Sequence, residues 1–455
     1  MKVVKFGGSS LATGAQMAKV LNIIVADPQR QIIVTSAPGK RFTSDIKVTD
    51  LLIKYAQQVL QHQDYSSTQQ QIWARYQEIA DYFHLTATQL RPLKTCLWDL
   101  PQQNYPNDDY LMAAFKAHGE CLNAQLLAII LQKKVPTHYV DPKTAGIQVS
   151  NDPQDAHILQ SSYQQIAKIN IGHDRIVVPG FYGITSDQQI ATFSRGGSDI
   201  TGAILAYGLQ ADLYENFTDV NAVYAADPRL VDHPQAIQTM TYRELRELSY
   251  AGFSVFHDEA LLPAIEGQVP IKIKNTNHPD LPGTLIVPQK YFQPQKPITG
   301  VASSSHFAAL YLHRYLLNKE VGFTLKLLKI FYEFNISYEH MPSGIDDLTV
   351  IFDKRQFTPT KQQQLLERVK MVIQPDELEW IDDYAIIMVV GEGIRLFPDF
   401  LQKIFDPLAR QGIRVHMINQ GASQISIMLG TKQSDAALAV QQIYQSFFPN
   451  QNGDA

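Results

Sequence analysis

The sequence has 455 residues, of which 45% are hydrophobic and 18% charged, and its formal net charge is −5. At roughly 150 residues per domain, this length predicts two to four domains with sizeable cores. The mild acidity gives no basic face of the kind that binds nucleic acid. Two cysteines are too few for a disulfide framework, and no apolar run approaches the roughly 20 residues of a membrane-spanning helix. A cytoplasmic location without membrane contact is therefore expected.

Short β-branched segments alternate with longer helical patterns over residues 1–290. Val3–Phe6 and Gln31–Thr35 are predicted strands, and Ala15–Ala26 and Tyr110–Leu131 are predicted helices. This alternation is typical of an α/β fold with a mostly parallel central sheet and helices on both faces. Because such sheets bind ligands outside the carboxyl ends of their strands, the glycine-rich segments after the strands indicate where a site would lie.

A proline-rich break separates this part from the last third of the chain. Residues 279–297 contain five prolines and no helical period, which indicates that the first domain ends near residue 290. The pattern of Phe323–Phe352 then recurs at Phe400–Leu429, at an offset of 77 residues. Each copy reads as strand–helix–strand–turn–strand–helix, a split βαβ unit of about 70 residues.

The repeat predicts two small α+β domains of the ferredoxin-like kind, at residues 298–380 and 381–449. The second copy lacks a last strand. Residues 298–304, which precede both copies, could supply it by pairing with the second unit, and one unit would then be nested inside the other.

The first candidate site is the segment Lys5-Phe-Gly-Gly-Ser-Ser10, which follows the opening strand. Without a Cβ, Gly7 and Gly8 let the backbone approach a phosphate closely, and successive N–H groups can form an anion-binding nest. Lys5 adds a point charge suited to a non-bridging phosphate oxygen. An ordinary glycine turn would account for the two glycines alone, although not for the lysine beside them. No Gly-Lys-Ser/Thr follows, so this is not the P-loop pattern.

A second glycine pair lies in Ser194-Arg-Gly-Gly-Ser-Asp199, just before a predicted helix. Ser198 or Asp199 is the expected N-cap of that helix. Arg195 carries an always-charged fork suited to a carboxylate, and the adjacent glycines leave room for a ligand. Asp199 would either orient Lys5 or hold Mg²⁺.

A polar stretch after a predicted strand at 211–215 carries groups that a nucleotide would need. Thr218 and Asp219 suit a ribose or a metal, Tyr224 suits the base, and Arg229 suits a phosphate. The alternative is an ordinary solvated loop.

Glu120 stands within a helical pattern, in His118-Gly-Glu120. A glutamate in a helix is usually solvated. This one becomes a candidate if the substrate carries an ammonium group.

Taken in order, these motifs resemble those of the aspartate kinases of the amino acid kinase family. The matching segments are Lys5–Ser10, Ser36-Ala37, Thr49-Asp50, His118–Glu120, Ser194–Asp199, Thr218-Asp219 and Asp227–Arg229. The paired C-terminal units resemble the two ACT regulatory domains of the same enzymes. The resemblance covers nearly the whole chain, and the two glycine-pair motifs together are specific.

The resemblance implies that ATP, with Mg²⁺, phosphorylates L-aspartate to 4-phospho-L-aspartate, the first step toward lysine, threonine and methionine. Lys5 and Asp199 are the implied catalytic residues, without a set of metal ligands from the protein. The implied binding residues are Lys5, Gly7, Gly8 and Ser9 for the phosphates, Thr218, Asp219, Tyr224 and Arg229 for the rest of the nucleotide, and Thr49, Glu120, Arg195, Gly197, Ser198 and Asp199 for aspartate. Glu120 would pair with the ammonium group and Arg195 with a carboxylate.

The resemblance also implies regulation. The ACT units would pair in a homodimer or higher homo-oligomer and bind an end-product amino acid, lysine or threonine. Polar turns make Asn318–Gly322 and His340–Asp347 the candidate effector loops, with ordinary surface turns as the alternative.

One departure concerns the second cation facing the phosphates. The family often has Gly-Ala-Lys-Val-Leu-His after a helix, whereas this chain has Gly252-Phe-Ser-Val-Phe-His257, so that Ser254 stands at the lysine position. Lys272 and Lys274, on a predicted strand, are the nearest candidates to replace it.

Two alternatives remain open at this stage. A sibling kinase acting on N-acetylglutamate or glutamate would use the same fold, but an acetylated substrate lacks the ammonium group that Glu120 would bind. A non-catalytic amino-acid sensor would explain the doubled regulatory unit. A dehydrogenase is disfavoured because no Gly-x-Gly-x-x-Gly follows the first strand.

Overall fold

The computed structural model describes residues 1–194, 196–253 and 260–449. Arg195 and Ser254 therefore lie outside the described residues. The described chain forms two compact units. The first comprises Met1–Val223, Ala236–Ser249 and the described part of Ser254–Phe292, and the second comprises Tyr224–Gln235, Tyr250–Phe253 and the described part of Gln293–Ala455.

The first unit is an α/β domain. Its strands are β1 Lys2–Phe6, β2 Arg30–Thr35, β3 Thr137–Tyr139, β4 Arg175–Pro179, β5 Tyr182–Ile184, β6 Ile190–Thr192, β7 Leu213–Thr218, β8 Thr239–Thr241, β9 Ile271–Asn275 and β10 Thr284–Val287. Its helices are α1 Gly14–Ala26, α2 Val48–Leu60, α3 Ser66–Tyr82, α4 Ala87–Trp98, α5 Asp108–Gln132, α6 Gln160–Ile166, α7 Gly197–Gly208, α8 Tyr242–Tyr250 and α9 Leu261–Gly267.

The central sheet has the strand order β3-β4-β2-β1-β7-β9-β10-β8, with β5 and β6 in a separate hairpin. Neighbouring strands run parallel except for the antiparallel pair β9 and β10. The predicted mostly parallel sheet is confirmed. β7 begins at Leu213 and continues to Thr218, further than the sequence pattern indicated, because β1 pairs with it as far as Phe217 and β9 as far as Thr218.

The pleat of β1 sends alternate side chains to opposite faces of the sheet. Val4 and Phe6 enter a hydrophobic core to which α1 to α5 contribute. Lys5 points to the other face, as do its register partner Asn216 and, two residues earlier on β7, Tyr214. Helix α7 packs on this second face, where a Cβ on its Gly202 would lie 2.5 Å from the Tyr214 hydroxyl.

The start of α7 differs from the prediction. Ser198 and Asp199 lie inside its first turn, and the N-cap is Gly196, at φ 74°. A left-handed conformation favours glycine. The change of chain direction at the start of the helix therefore occurs at Gly196. The Ser198 side chain lines a cavity and does not cap the helix.

The second unit contains one sheet that both sequence repeats build. Its elements are β11 Gly300–His313, α10 Phe323–Glu333, β12 Asp347–Asp353, α11 Pro359–Ile373, β13 Glu377–Val390, α12 Phe400–Arg410, β14 Met417–Asn419, β15 Ser426–Thr431 and α13 Gln433–Phe447. The strand order is β12-β11-β13-β15-β14. The first five residues of β11, Gly300–Ser304, pair with Ile386–Val390 of β13, and the segment from Phe307 to His313 pairs with β12 on one side and β13 on the other.

Among the described residues, no helix combines the length and the apolar character that crossing a membrane requires.

Candidate active site

A cavity of about 220 Å³ opens at the carboxyl edge of the central sheet. Its lining residues are Lys5, Ser36, Thr49, Glu120, Phe181 and Gly196 to Asp199. The sheet order explains this meeting, since β1, β2 and β4 are adjacent and parallel and deliver the segments that follow them to one edge. The structure thus brings together Lys5, Thr49, Glu120, Gly197, Ser198 and Asp199 of the predicted site residues.

A buried ion pair lies in this cavity. The Lys5 Nζ atom is 2.5 Å from Asp199 Oδ1, and both residues are 8% exposed. Asn216 bridges the pair, because its side-chain amide donates to Asp199 Oδ1 at 2.9 Å and its amide oxygen accepts from Lys5 Nζ at 3.4 Å. Of the two roles considered for Asp199, this geometry matches the orientation of Lys5.

Glu120 is the third ionisable group among the lining residues of the cavity, and it is buried. The residue is 6% exposed, and among the described residues its Oε2 atom has no hydrogen-bond partner. Burial raises the pKa of Glu120 to about 8, although a backbone hydrogen bond at Ala37 and the charge of Lys5 oppose that rise. A buried acceptor without a partner is costly, so the site gains from a ligand that donates to it.

The glycine turn after β1 packs against the segment after β2. Gly7 donates its N–H to Phe217 O at 3.1 Å, so this amide is not free for a phosphate. A Cβ on Gly8 would lie 2.9 Å from Ala37 O, and one on Gly39 would lie 2.6 Å from the Gly8 carbonyl carbon. Glycine is required here by this close contact of two backbones. Ser9 is exposed on the 3₁₀ turn that follows.

The predicted nucleotide residues fall into both units. Thr218 ends β7 in the first unit, and its hydroxyl donates to Asp219 at 3.1 Å. Tyr224 and Arg229 belong to the second unit. The Arg229 guanidinium contacts Asp227 at 2.6 Å, and the arginine side chain is 85% exposed.

Lys272 and Lys274 of β9 lie on the face of the sheet opposite to Lys5. The residue in register with Lys5 and Asn216 is Ile273, so the neighbouring Lys272 and Lys274 point to the opposite face. The Lys274 ammonium group lies 5.8 Å from the centre of the Phe217 ring on that face.

Two residues of the site went unrecognised in the sequence. Asn216 bridges the ion pair only because β1 and β7 align it with Lys5, and a one-dimensional pattern does not reveal a sheet register. Phe181 lines the cavity with φ 78°, a conformation that bulky residues rarely adopt. Gly197 packs against it, since a Cβ there would meet the Phe181 ring at 2.5 Å.

Comparison with known proteins agrees with this architecture. The model of the amino acid kinase family matches residues 1–275, and an ACT domain model matches residues 387–447. Aspartokinase 3 of Bacillus subtilis is 44% identical over 449 residues, which cover 98% of this chain and 99% of that protein.

Solved structures show the same fold. The aspartate kinase of Clostridium acetobutylicum, described as an allosteric enzyme, superposes with a TM-score of 0.87 at 36% identity and covers 98% of this chain and 100% of its own. Aspartokinase III of E. coli, solved with aspartate and ADP, has a TM-score of 0.78 at 22% identity over 98% and 100% of the two chains, and shares the fold. The chain belongs to the aspartokinases of the amino acid kinase family.

Proposed function

We propose that the protein transfers the γ-phosphoryl group of ATP to the side-chain carboxylate of L-aspartate, giving ADP and 4-phospho-L-aspartate. The observation that carries this proposal is Glu120, a buried residue in the same cavity as Lys5, one of whose carboxyl oxygens has no partner among the described residues. An amino-acid ammonium group would satisfy that oxygen. The 44% identity to an aspartokinase over the full length supports the same substrate.

The reaction does not require a general base, because the attacking carboxylate is already ionised near neutral pH. The protein has to align the two substrates and neutralise charge on the transferring phosphoryl oxygens. Lys5, held by Asp199, would supply that positive charge, while the Gly8–Ser9 turn would let the phosphates approach the backbone. Thr49 and Ser198 would contact aspartate, and Arg195 would bind one of its carboxylates.

ATP would bring Mg²⁺ to the site. No group of three or more metal-ligating side chains occurs among the described residues. This suits Mg²⁺, which usually takes one or two carboxylates and completes its shell with phosphate oxygens and water. Asp219, exposed directly after β7, is a carboxylate of the predicted site that could serve, and the ion would neutralise phosphate charge. Thr218, Tyr224 and Arg229 are proposed to contact the rest of the nucleotide.

The decisive experiment measures acyl phosphate, trapped with hydroxylamine, from L-aspartate, L-glutamate and N-acetyl-L-glutamate at saturating Mg-ATP. We expect aspartate to have the highest kcat/KM. Faster turnover of N-acetylglutamate would contradict the proposal, because that substrate has no ammonium group for Glu120. ATP binding without any phosphorylated product would instead support an amino-acid sensor.

We also propose that the residues after about 290 form two ACT units, 298–380 and 381–449, that bind an end-product amino acid and pair in a homodimer or higher homo-oligomer. A cavity of about 490 Å³ in the second unit supports ligand binding there, because Ser343, Gly344 and Asp347 of the loop at 340–347 line it. Isothermal calorimetry with lysine, threonine and both together tests this, and the absence of heat from every member of an amino-acid panel would contradict it.

A further inference from the structure

Among the described residues that line the 220 Å³ cavity none belongs to helix α3, yet this helix carries a buried arginine that binds the segment between the lining residues Ser36 and Thr49. Arg75 is 4% exposed. Its Nη2 donates to Gly39 O at 2.6 Å, and its Nη1 donates to Ile46 O at 2.8 Å and lies 3.1 Å from an oxygen of Asp45. A single guanidinium group therefore holds both ends of the segment between Gly39 and Ile46.

This segment is a compact loop that joins β2 to α2. Its ends also meet directly, because Val48 donates its N–H to Pro38 O at 3.3 Å. We define residues 37–47 as the rim loop. Close ends and 11 residues fit the description of an Ω-loop. The cavity residues Ser36 and Thr49 flank the rim loop on either side.

The rim loop also contacts the Gly8–Ser9 turn after β1, which is called the phosphate turn below because it is proposed to bind the phosphates. Gly39 donates its N–H to Gly8 O at 2.8 Å, and a Cβ on Gly39 would lie 2.8 Å from the Ser9 nitrogen. The Gly39 peptide thus contacts Gly8 on one side, while the Gly39 carbonyl accepts from Arg75 on the other. A shift of this carbonyl would move the wall against which the phosphate turn packs.

The geometry requires arginine at this place. A guanidinium fork reaches two carbonyls and a carboxylate at once, whereas a lysine ammonium is a point charge on a flexible stem. The partner Asp45 is fixed in turn by Arg41, whose Nε donates to it at 2.9 Å. Arg41 also contacts Glu78 of α3 at 2.7 Å, at the exposed side of the loop.

We propose that Arg75 is a positioning residue of the kinase reaction, which fixes the rim loop so that Thr49 meets aspartate and the Gly8–Ser9 turn meets the phosphates in register. The expected effect of Arg75 on catalysis rests on the proposed function. Its structural part, the fixing of residues 37–49 by Arg75, stands independently. Supporting residues of this kind matter because displacements of about 1 Å at a site cost much of its rate.

The test compares Arg75→Lys and Arg75→Ala with a matched control, Arg91→Gln, at an exposed arginine of the neighbouring α4. Hydrogen exchange followed by mass spectrometry is measured on peptides covering residues 36–49 and 6–12 of the full chain. We expect faster exchange in both segments for the two Arg75 variants, more so in Arg75→Ala, and no change in the control. Unchanged exchange in residues 36–49 of a folded Arg75→Ala protein would overturn the proposal, whether or not the protein phosphorylates aspartate.

Kinetics give the second readout. In Arg75→Ala we expect KM for aspartate to rise about tenfold or more, and millimolar ethylguanidinium to restore most of the wild-type value. A folded Arg75→Ala protein whose KM and kcat both equal those of the wild type, or whose losses ethylguanidinium does not restore, would contradict the positioning role. If Arg75→Ala does not fold, Arg75→Lys provides the same comparison, since it keeps the charge and loses the fork. A wild-type protein without aspartate kinase activity would defeat the proposed function while leaving the exchange result intact.

Discussion

The proposed role of Lys5 is to supply positive charge. Its partner Asp199 also accepts a hydrogen bond from the Asn216 amide at 2.9 Å, which does not involve the lysine. We therefore expect Lys5→Ala to remain folded and to lose at least about 100-fold in kcat, because the transferring phosphoryl oxygens lose their positive partner. Coupled ADP release measures the rate and a thermal melt checks the fold. The matched control is Lys19→Ala, which removes an exposed lysine of α1. Turnover of Lys5→Ala near that of the wild type would remove Lys5 from the mechanism.

The proposed contact of Glu120 with the ammonium group of aspartate predicts that aspartate binding depends on pH. Burial raises the pKa of this carboxyl from 4.5 to about 8, so the empty site holds a proton near pH 7 that an incoming ammonium group must displace. We expect KM for aspartate to fall as the pH rises toward 8, by at most about tenfold per pH unit, and then to level off. A pH series of initial rates measures this dependence, which Glu120→Gln should abolish along with most of the affinity. A flat profile in the wild type would contradict the assignment.

The same shift has a consequence for stability. The folded protein without substrate holds the Glu120 proton over the interval from pH 4.5 to about 8, whereas the unfolded chain has released it. Unfolding thus releases a proton there, and the free energy of unfolding falls as the pH rises through that interval. Thermal melts at several pH values, with and without aspartate, check the sign, since the bound ammonium group should offset the loss.

At the scale of elements, the junction of β4 and α7 shapes the cavity proposed to bind aspartate. A Cβ on Gly180, which follows β4, would lie 2.6 Å from both the Cβ and the Oγ of Ser198. We expect Gly180→Ala to displace the first turn of α7, to cost about 1–3 kcal/mol of stability and to lower kcat/KM for aspartate at least about tenfold. Chemical denaturation and kinetics measure the two effects. Gly421→Ala, where a Cβ would meet nothing nearer than 3.8 Å, is the control.

At the scale of the whole molecule, the two sequence repeats share one sheet. Strand β13 lies between β11 and β15 and pairs with β11 from Glu377 to Val390. The predicted border between residues 380 and 381 falls inside this strand. A repeat that ends at 380 would therefore lose most of a central strand and expose an unpaired edge.

We accordingly expect residues 298–380 expressed alone to show no cooperative thermal transition, whereas residues 298–449, which keep the whole sheet, do. Circular dichroism on heating and tryptophan fluorescence measure the difference, with Trp380 present in both chains. A cooperative melt of the shorter chain would show that each repeat folds independently.

The local sequence determined much of this protein. The alternation of apolar residues, the glycine pairs and the repeat at 77 residues indicated the parallel sheet, the two segments at its carboxyl edge and the second regulatory part. These features follow from strand and helix periods and from the space that glycine leaves, which act over a few residues. The identity of the site as a carboxylate kinase needed, in addition, the order of the motifs along the chain.

Only the tertiary structure decided which groups meet. The sheet register placed Asn216 where it binds both Lys5 and Asp199, and the Gly7 amide that the sequence had suggested for a phosphate donates instead to Phe217 of β7. Register also turned Lys272 and Lys274 to the opposite face, and the fold buried Arg75 under a loop some 30 positions away in sequence. Such contacts depend on how strands align and helices dock across long separations, and local residue patterns carry no record of that alignment.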